Sequence, residues 1–336
     1  MPRDVAERAI DLALSVRSND ARMDFFGGEP LMEWDLLRHC TDHAERAAGR
    51  AGVRLTKKLT TNGTLLTPER VGWLRRHGFR PDISVDGDRA MHDITRPLRG
   101  GGSSFDAVER GLELLLGTFP DASVVIVPDP ANVSLLAEGA RFLVEEKGVR
   151  RLVVSPNFYA EWPDGVRETW REAYERIADL YVGRYRAGRP VSVNVIDGKI
   201  ASRLLRDFDG CSLCRFGLRE MAVAPSGRIY PCDRMVGEDT GGETCIGTVF
   251  DGFDEDRRGA LLEPLDLSSL GCDGCPVRQR CMNWCRAVNH MTTGSTRTPG
   301  EVVCFHERMS AEVADRAGGT LIEEGNLAFV ERFGGS

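Results

Sequence analysis

The chain has 336 residues, 41% hydrophobic, 28% charged and 7% aromatic, a size and balance that allow a buried core in one large or two ordinary domains and exclude a disulfide miniprotein, a fibre or a disordered chain. With 44 Lys+Arg against 51 Asp+Glu the formal charge is -7, which argues against nucleic acid or an anionic membrane surface as a partner. No run approaches the roughly 18 apolar residues of a membrane span, and Met1 to Leu14 lacks a signal peptide's apolar region, so a cytoplasmic protein is expected.

From Met1 to about Gly188, helix-period and strand-like runs alternate. Val5, Ala9, Leu12 and Val16 share one face and predict a helix over 3–16. A strand at 22–26 ends abruptly in Gly27-Gly28, and a helix with Leu37, Cys40, Ala44 and Ala47 on one stripe follows. Next comes a strand at 55–60, ending in Thr61-Asn62-Gly63. Thr67 before Pro68 reads as an N-cap with proline at the first helical position, opening a helix that runs to His77-Gly78. A short strand at 82–85 precedes a glycine-rich loop and a helix carrying Phe105, Val108, Leu112 and Leu115. The series closes with a strand at 122–127, a helix at 134–147 stopped by Gly148, a strand at 151–154 and a long helix marked by Trp170, Tyr174, Ile177 and Tyr181.

Such alternation predicts an α/β fold with a parallel sheet and right-handed crossovers, open or closed into a barrel. The helix at Arg3 has no strand ahead of it to cross over from, which predicts an exposed sheet edge and a segment missing at the front. After Gly188 the periodicity weakens: strand-like 190–195 gives way to cysteines, glycines and short turns through Cys304, then a tail with one helix and a glycine-rich end. The expected division is 1–188, 189–309 and 310–336.

Nine of the ten cysteines lie between Cys211 and Cys304, a clustering that in a reducing compartment favours metal over disulfides. The run Cys272-x2-Cys275-x5-Cys281-x3-Cys285 is the strongest signal, because a tight turn lets two thiolates separated by two residues reach one centre. With Cys211, Cys214, Cys232 and Cys304 the chain offers the eight thiolates that two 4Fe-4S clusters need. Zinc is the other reading; it uses the same Cys-x2-Cys knuckles, but the x5 and x3 spacings do not divide into two such pairs. Metal would cross-link a region with little apolar core of its own. Cys40 reads as core packing and Cys245 as a spare loop thiol.

The run Cys214 through Gly227 to Cys232, the run from Cys272 to Cys285, and the trailing Cys304 together resemble a SPASM domain, the C-terminal extension of radical S-adenosylmethionine enzymes that modify peptides and proteins. The resemblance implies a partial (β/α)6 barrel followed by a cysteine-rich auxiliary-cluster domain. Phe25-Phe26-Gly27-Gly28-Glu29-Pro30 resembles that family's GGE motif, which holds the amino group of S-adenosylmethionine. Two glycines let backbone carbonyls approach an ammonium, and Glu29 adds charge at the C-terminal rim, where barrels place their chemistry. Asn62 and Ser84 lie in segments resembling those at the next two strand ends, and with Arg96 they are the implied contacts to the cofactor's polar part. By likeness to sulfatase-maturing members, Cys211, Cys214, Cys232 and Cys285 would hold one auxiliary cluster and Cys272, Cys275, Cys281 and Cys304 the second. Asp233 stands where such members place a proton-accepting aspartate; an ordinary turn acid is the alternative.

The family holds its reactive cluster with a Cys-x3-Cys-x2-Cys loop ahead of the GGE motif, and no cysteine precedes Cys40. The expected enzyme is therefore a maturase of peptide or protein side chains, served by S-adenosylmethionine, two auxiliary 4Fe-4S clusters and an external electron donor, and recorded without its first strand and cluster loop. The alternative is a noncatalytic iron-sulfur protein that binds peptides or relays electrons. His39 and His43, four apart on a helix, read as a solvated face, and Gly100-Gly101-Gly102 as a flexible loop lacking a phosphate-binding signature.

Overall fold

The computed structural model describes residues 1–15, 18–204, 214, 216–267, 271–282 and 285–334. Six strands, β1 (Asp20–Phe25), β2 (Arg54–Thr61), β3 (Phe79–Ser84), β4 (Ser123–Ile126), β5 (Arg151–Val154) and β6 (Ser192–Val193), form one parallel sheet in sequence order. Between them run α1 (Arg3–Ser15, ahead of β1), α2 (Trp34–Ala51), α3 (Pro68–Arg76), α4 (Arg89–Thr95), α5 (Phe105–Thr118), α6 (Leu136–Arg141) and α7 (Asp164–Arg186). A sequential order with right-handed crossovers puts the connecting helices on one side of the sheet.

The strands show which side that is. On β2 and β3, Leu59, Thr61, Phe79 and Ile83 are buried, with Leu59, Phe79 and Ile83 joining the core that Leu37, Leu74, Leu112 and Leu115 of the helices fill. On the opposite face the alternate residues Arg22 and Asp24 are exposed and Lys58, Asp82 and Ser84 partly exposed. That face is polar and charged, with Lys58 donating to Asp82 at 2.7 Å and Arg22 pairing with Asp24 at 3.1 Å. One side of the sheet is thus a core and the other a polar, solvent-accessible face.

Thr67 caps α3 as its position ahead of Pro68 predicts, accepting from the Arg70 amide. The helix expected over 134–147 is broken into a 3-10 turn at Val133–Leu135, α6, and a π turn at Phe142–Glu146. Within α6, Gly139 lies so close to Gly87 that a β-carbon would meet the latter's Cα at 2.8 Å.

Both expected boundaries fall inside continuous structure. Ser192–Val193 lies beyond 188 yet completes the parallel sheet by pairing with β5, and α8 (Asn194–Leu204) continues the layer. A two-residue strand carries no periodicity, so its sheet partner was not readable. Further on, α9 (Glu255–Leu261) and α10 (Arg286–Thr293) belong to the cysteine-rich region, and α12 (Leu327–Phe333) ends the chain. Between them α11 (Glu301–Glu323) crosses 309/310 without a break and packs on α7 and α8 through Val303, Met309, Val313, Ala317 and Leu321.

The cysteine-rich region holds a four-stranded antiparallel sheet of β7 (Ala222–Val223), β8 (Arg228–Tyr230), β9 (Gly247–Thr248) and β10 (Gly252–Phe253). Val5 of α1 packs into it against Ile229, Ile246 and Val249. Among the described residues β1 pairs on one side only, with β2. Helix α1 therefore serves as a brace between α2 and the four-stranded sheet. Among the described residues no helix is long and apolar enough to cross a membrane.

Candidate functional site at the C-terminal strand ends

Because all six strands are parallel, Gly27–Glu29, Thr61–Gly63 and Ser84–Asp86 emerge on the same rim. Gly27 and Gly28 both take positive φ, 88° and 55°, and a β-carbon at either would meet nothing within 4 Å. Their backbone therefore faces open space and fits the close approach of a ligand ammonium. The Glu29 carboxylate is a strut. Its Oε1 accepts from the Leu31 amide at 3.1 Å and Thr61 Oγ1 at 2.8 Å, and Oε2 from the Asn62 amide at 2.7 Å, locking the ends of β1 and β2 together. Asn62 in turn uses Oδ1 to accept from the amide and hydroxyl of Thr64.

Asp86 organises the next strand end. Only 1% exposed, it accepts from Arg96 Nε at 2.7 Å, Thr95 Oγ1 at 2.9 Å and the Val127 amide at 2.8 Å, tying β3, the α4 terminus and the end of β4. Arg96 is thereby fixed while its side chain stays 27% exposed, as a group that binds an anion must. His92, whose pKa burial pushes down, stands between the Asp86 amide and Ser104 Oγ. Gly100–Gly102 form a turn closed by backbone bonds between Leu98 and Gly102 and between Gly101 and Leu98.

The thiols gather in two places. Cys272, Cys275, Cys281 and Cys304 line one small concavity together with Arg278, Glu307 and Arg308. Cys214, Cys232 and Cys285 meet in a second cluster, packed with Phe216, Tyr230, Met235 and Ala287. Cys211 lies outside the described residues. Burial pushes the thiol of Cys214 up to about 12 and raises those of Cys232, Cys285, Cys272 and Cys304. These donors stay protonated until a metal ion displaces the protons, so converging thiols of this kind fit metal-centre ligands. Cys245 is a buried member of the second cluster, its thiol donating to the Gly247 carbonyl, and Cys40 is buried in α2, its thiol raised to about 11 by burial.

Asp233 is exposed beside Cys232, whose thiol donates to its Oδ1 at 3.0 Å. Arg234 joins this turn to the rim: Nη2 donates to Ser155 Oγ at the end of β5 at 3.1 Å, and its carbonyl accepts from Tyr159 Oη at 3.0 Å. Sequence reasoning missed Arg234 and Glu220. The carboxylate of Glu220 accepts from the Cys214 thiol at 3.4 Å, and a lone glutamate in a turn offers no spacing signal. His39 and His43 are partnered, by Glu7 at 2.7 Å and Asp11 at 2.8 Å of α1, which corrects their reading as a merely solvated face. Asp42, Glu45 and His77 also converge, with the Lys57 ammonium bonded to Glu45 as their cation.

No family model matches the chain. It is 22% identical over 253 residues to a cysteine-type anaerobic sulfatase-maturating enzyme of Clostridium perfringens, covering 70% of this chain and 65% of that enzyme. It is 24% identical over 284 residues to a serine-type anaerobic sulfatase-maturating enzyme of Klebsiella aerogenes, 78% of this chain and 65% of that one. The radical SAM cyclopropyl synthase TigE of Paramaledivibacter caminithermalis is 22% identical over 240 residues, 67% of this chain and 46% of TigE. The chain thus spans just under two thirds, 65%, of the length of the two sulfatase-maturating relatives. Among solved structures it superposes on native anSMEcpe with bound AdoMet at a TM-score of 0.78 and 19% identity, over 97% of this chain and 90% of that one. The same protein with bound AdoMet and the Cp18Cys peptide matches equally, at 0.78 over 97% and 91%. At this identity the likeness is one of fold, and it extends over nearly the whole chain.

Proposed function

We propose that the chain is a radical S-adenosylmethionine maturase that oxidises a side chain of a peptide or protein, built on an open (β/α)6 barrel with a SPASM-type domain. The observation that carries this reading is the junction of Arg234 with Ser155, which brings the Cys232-Asp233 turn to the rim where Gly27, Gly28 and Arg96 stand. Curated relatives named as sulfatase-maturating enzymes, another named as a radical SAM cyclopropyl synthase, and a fold shared with an AdoMet-bound structure support it. When bound, S-adenosylmethionine supplies hydrogen-atom abstraction and iron-sulfur clusters supply one-electron transfer.

The chain's own residues then have distinct tasks. The Gly27 and Gly28 backbone receives the cofactor's ammonium, and Arg96, held by Asp86, faces its carboxylate, with Ser84 and Asn62 as neighbouring polar contacts. Cys214, Cys232 and Cys285, with Cys211, hold one 4Fe-4S cluster; Cys272, Cys275, Cys281 and Cys304 hold the second. Asp233 Oδ1 accepts the proton that leaves the substrate as it is oxidised.

The test is anaerobic reconstitution with iron and sulfide, followed by calorimetric titration with S-adenosylmethionine. The expected result is iron-loaded protein absorbing near 400 nm that binds the cofactor, with affinity falling about tenfold in Arg96→Ala, the loss of one charge-assisted contact. Colourless protein carrying stoichiometric zinc would overturn the metal assignment. Full iron loading without cofactor binding would favour an electron-relay or peptide-binding protein. Release of 5'-deoxyadenosine under reducing, anaerobic conditions is the activity readout.

A further inference from the structure

Cys281 is gripped from both sides by one buried ion pair. Lys199 of α8 and Glu307 of α11 face each other with side chains 12% and 1% exposed, the ammonium donating to Glu307 Oε2. The same ammonium donates to the Arg280 carbonyl, and the same Oε2 accepts from the Met282 amide. The two peptide groups that flank Cys281 therefore end on the two halves of one charge pair. Arg280 adds a second tie, donating through Nη2 to the Lys199 carbonyl at 2.8 Å and through both Nη atoms to Asp315 of α11 at 2.9 and 2.7 Å. Cys281 itself stands in extended backbone, φ -84° and ψ 142°, just after the turn Arg278–Arg280.

Glu307 also belongs to the surroundings of the thiols. It lines the concavity of Cys272, Cys275, Cys281 and Cys304, and it lies three residues after Cys304 on the same face of α11. One carboxylate thus joins the helix that carries Cys304 to the segment that carries Cys281. Packing alone does not call for charges here, because a buried ion pair costs desolvation and often stabilises a fold no better than apolar side chains of the same volume. An apolar pair would fill the space between α8 and α11 but would bond neither the Arg280 carbonyl nor the Met282 amide. The pair is bonded to the backbone on both sides of one thiol, and outer contacts of this kind orient metal ligands and tune the centre they hold.

We infer that Lys199 and Glu307 are positioning residues of the centre of Cys272, Cys275, Cys281 and Cys304: they present Cys281 beside Cys304 and set the one-electron potential of the cluster held there. The inference rests on the cluster reading above. The two charges act in opposite senses. The Glu307 carboxylate opposes an added electron and lowers the potential, whereas the Lys199 ammonium favours that electron and raises it.

The experiment compares reconstituted wild type, Glu307→Gln, Lys199→Met, the double variant and Cys272→Ala. Each is read by iron content, by anaerobic potentiometric titration with dithionite as the electron source, and by electron paramagnetic resonance of the reduced protein, with circular dichroism as the folding control. Cys272→Ala is expected to lose about four irons per chain, and the signal it loses identifies this centre. Glu307→Gln, whose amide oxygen still accepts from Met282, should keep the iron and shift that centre's potential upward. Lys199→Met should shift it downward. The double variant should return the potential towards wild type while its spectrum stays altered, because the bond to the Arg280 carbonyl is gone. Unchanged potentials in both single variants, or shifts in the same direction, overturn the inference, since mere loosening of the fold has no reason to follow the sign of the charge removed. If neither single variant folds, the double variant, which leaves no charge unmatched, decides: a wild-type spectrum overturns the inference and an altered one supports it. Iron fully retained in Cys272→Ala would instead overturn the cluster reading itself.

Discussion

Single buried carboxylates do much of the positioning in this molecule. Asp86 fixes Arg96 and bonds two other elements, so Asp86→Ala should destabilise the fold by about 3 kcal/mol, the loss of a buried partner that leaves charges and amides unmatched. Urea unfolding reads this, and cofactor titration should show weaker binding as well, because Arg96 loses its anchor. Glu307 is the second case. Only 1% exposed, it accepts from Lys199, from the Met282 amide and from His306, which also meets the Tyr174 hydroxyl. Burial pushes its carboxyl upward, but the His306 and Lys199 contacts outweigh this and hold it at about 2, below the ordinary 4.5. Its contribution is therefore complete above about pH 4.5 and is lost as pH falls towards 2, and the shift corresponds to about 3 kcal/mol. Urea midpoints should drop steeply with acid in the wild type and less steeply in Glu307→Gln; equal slopes would refute that assignment.

At the scale of elements, close backbone contacts and helix braces set the geometry. Gly111 of α5 packs on the turn after β2 so tightly that a β-carbon would lie 2.2 Å from the Gly63 carbonyl oxygen. Gly111→Ala should cost about 2–3 kcal/mol through overpacking, and it should weaken cofactor binding by displacing Asn62. A thermal melt within experimental error of wild type would contradict the contact. The brace α1 holds the cysteine-rich sheet through Val5, 4% exposed, and holds α2 through the Glu7–His39 and Asp11–His43 pairs. Val5→Asp should release it, exposing the α1 amides to hydrogen exchange, whereas His39→Ala with His43→Ala should change stability by no more than about 1 kcal/mol, because those pairs are partly exposed.

The molecule as a whole joins a parallel sheet to a region whose few apolar contacts are supplemented by thiols. The four-stranded sheet has two- and three-residue strands, and its cores around Cys232 and Ile229 are small. Metal removal should therefore loosen residues between about 214 and 300 while the six-stranded sheet and α11, packed on α7 and α8, persist. Chelation followed by limited proteolysis reads the difference, with cuts expected between Glu220 and Gly300. Uniform cleavage of the whole chain would show that the two parts do not differ in this way.

Much of this was legible in the sequence. Periodicity located α1, α2, α5, α7 and the strands β1 to β5, because one-sided burial imposes a repeat of 3.6 or 2 on the residues that supply it. Gly27-Gly28 announced the end of β1, since few other residues accept positive φ twice in succession. Cysteine spacing singled out the thiols, though not their grouping in space. What only the tertiary structure decided concerns contacts between residues far apart in the chain: the pairing of the strand at Ser192–Val193 with β5, the strut role of Glu29, the meeting of Arg234 with Ser155, and Glu220 beside Cys214. None of these leaves a periodic trace, because each depends on a single side chain or a two-residue pairing whose partner is chosen by the packing of the elements around it.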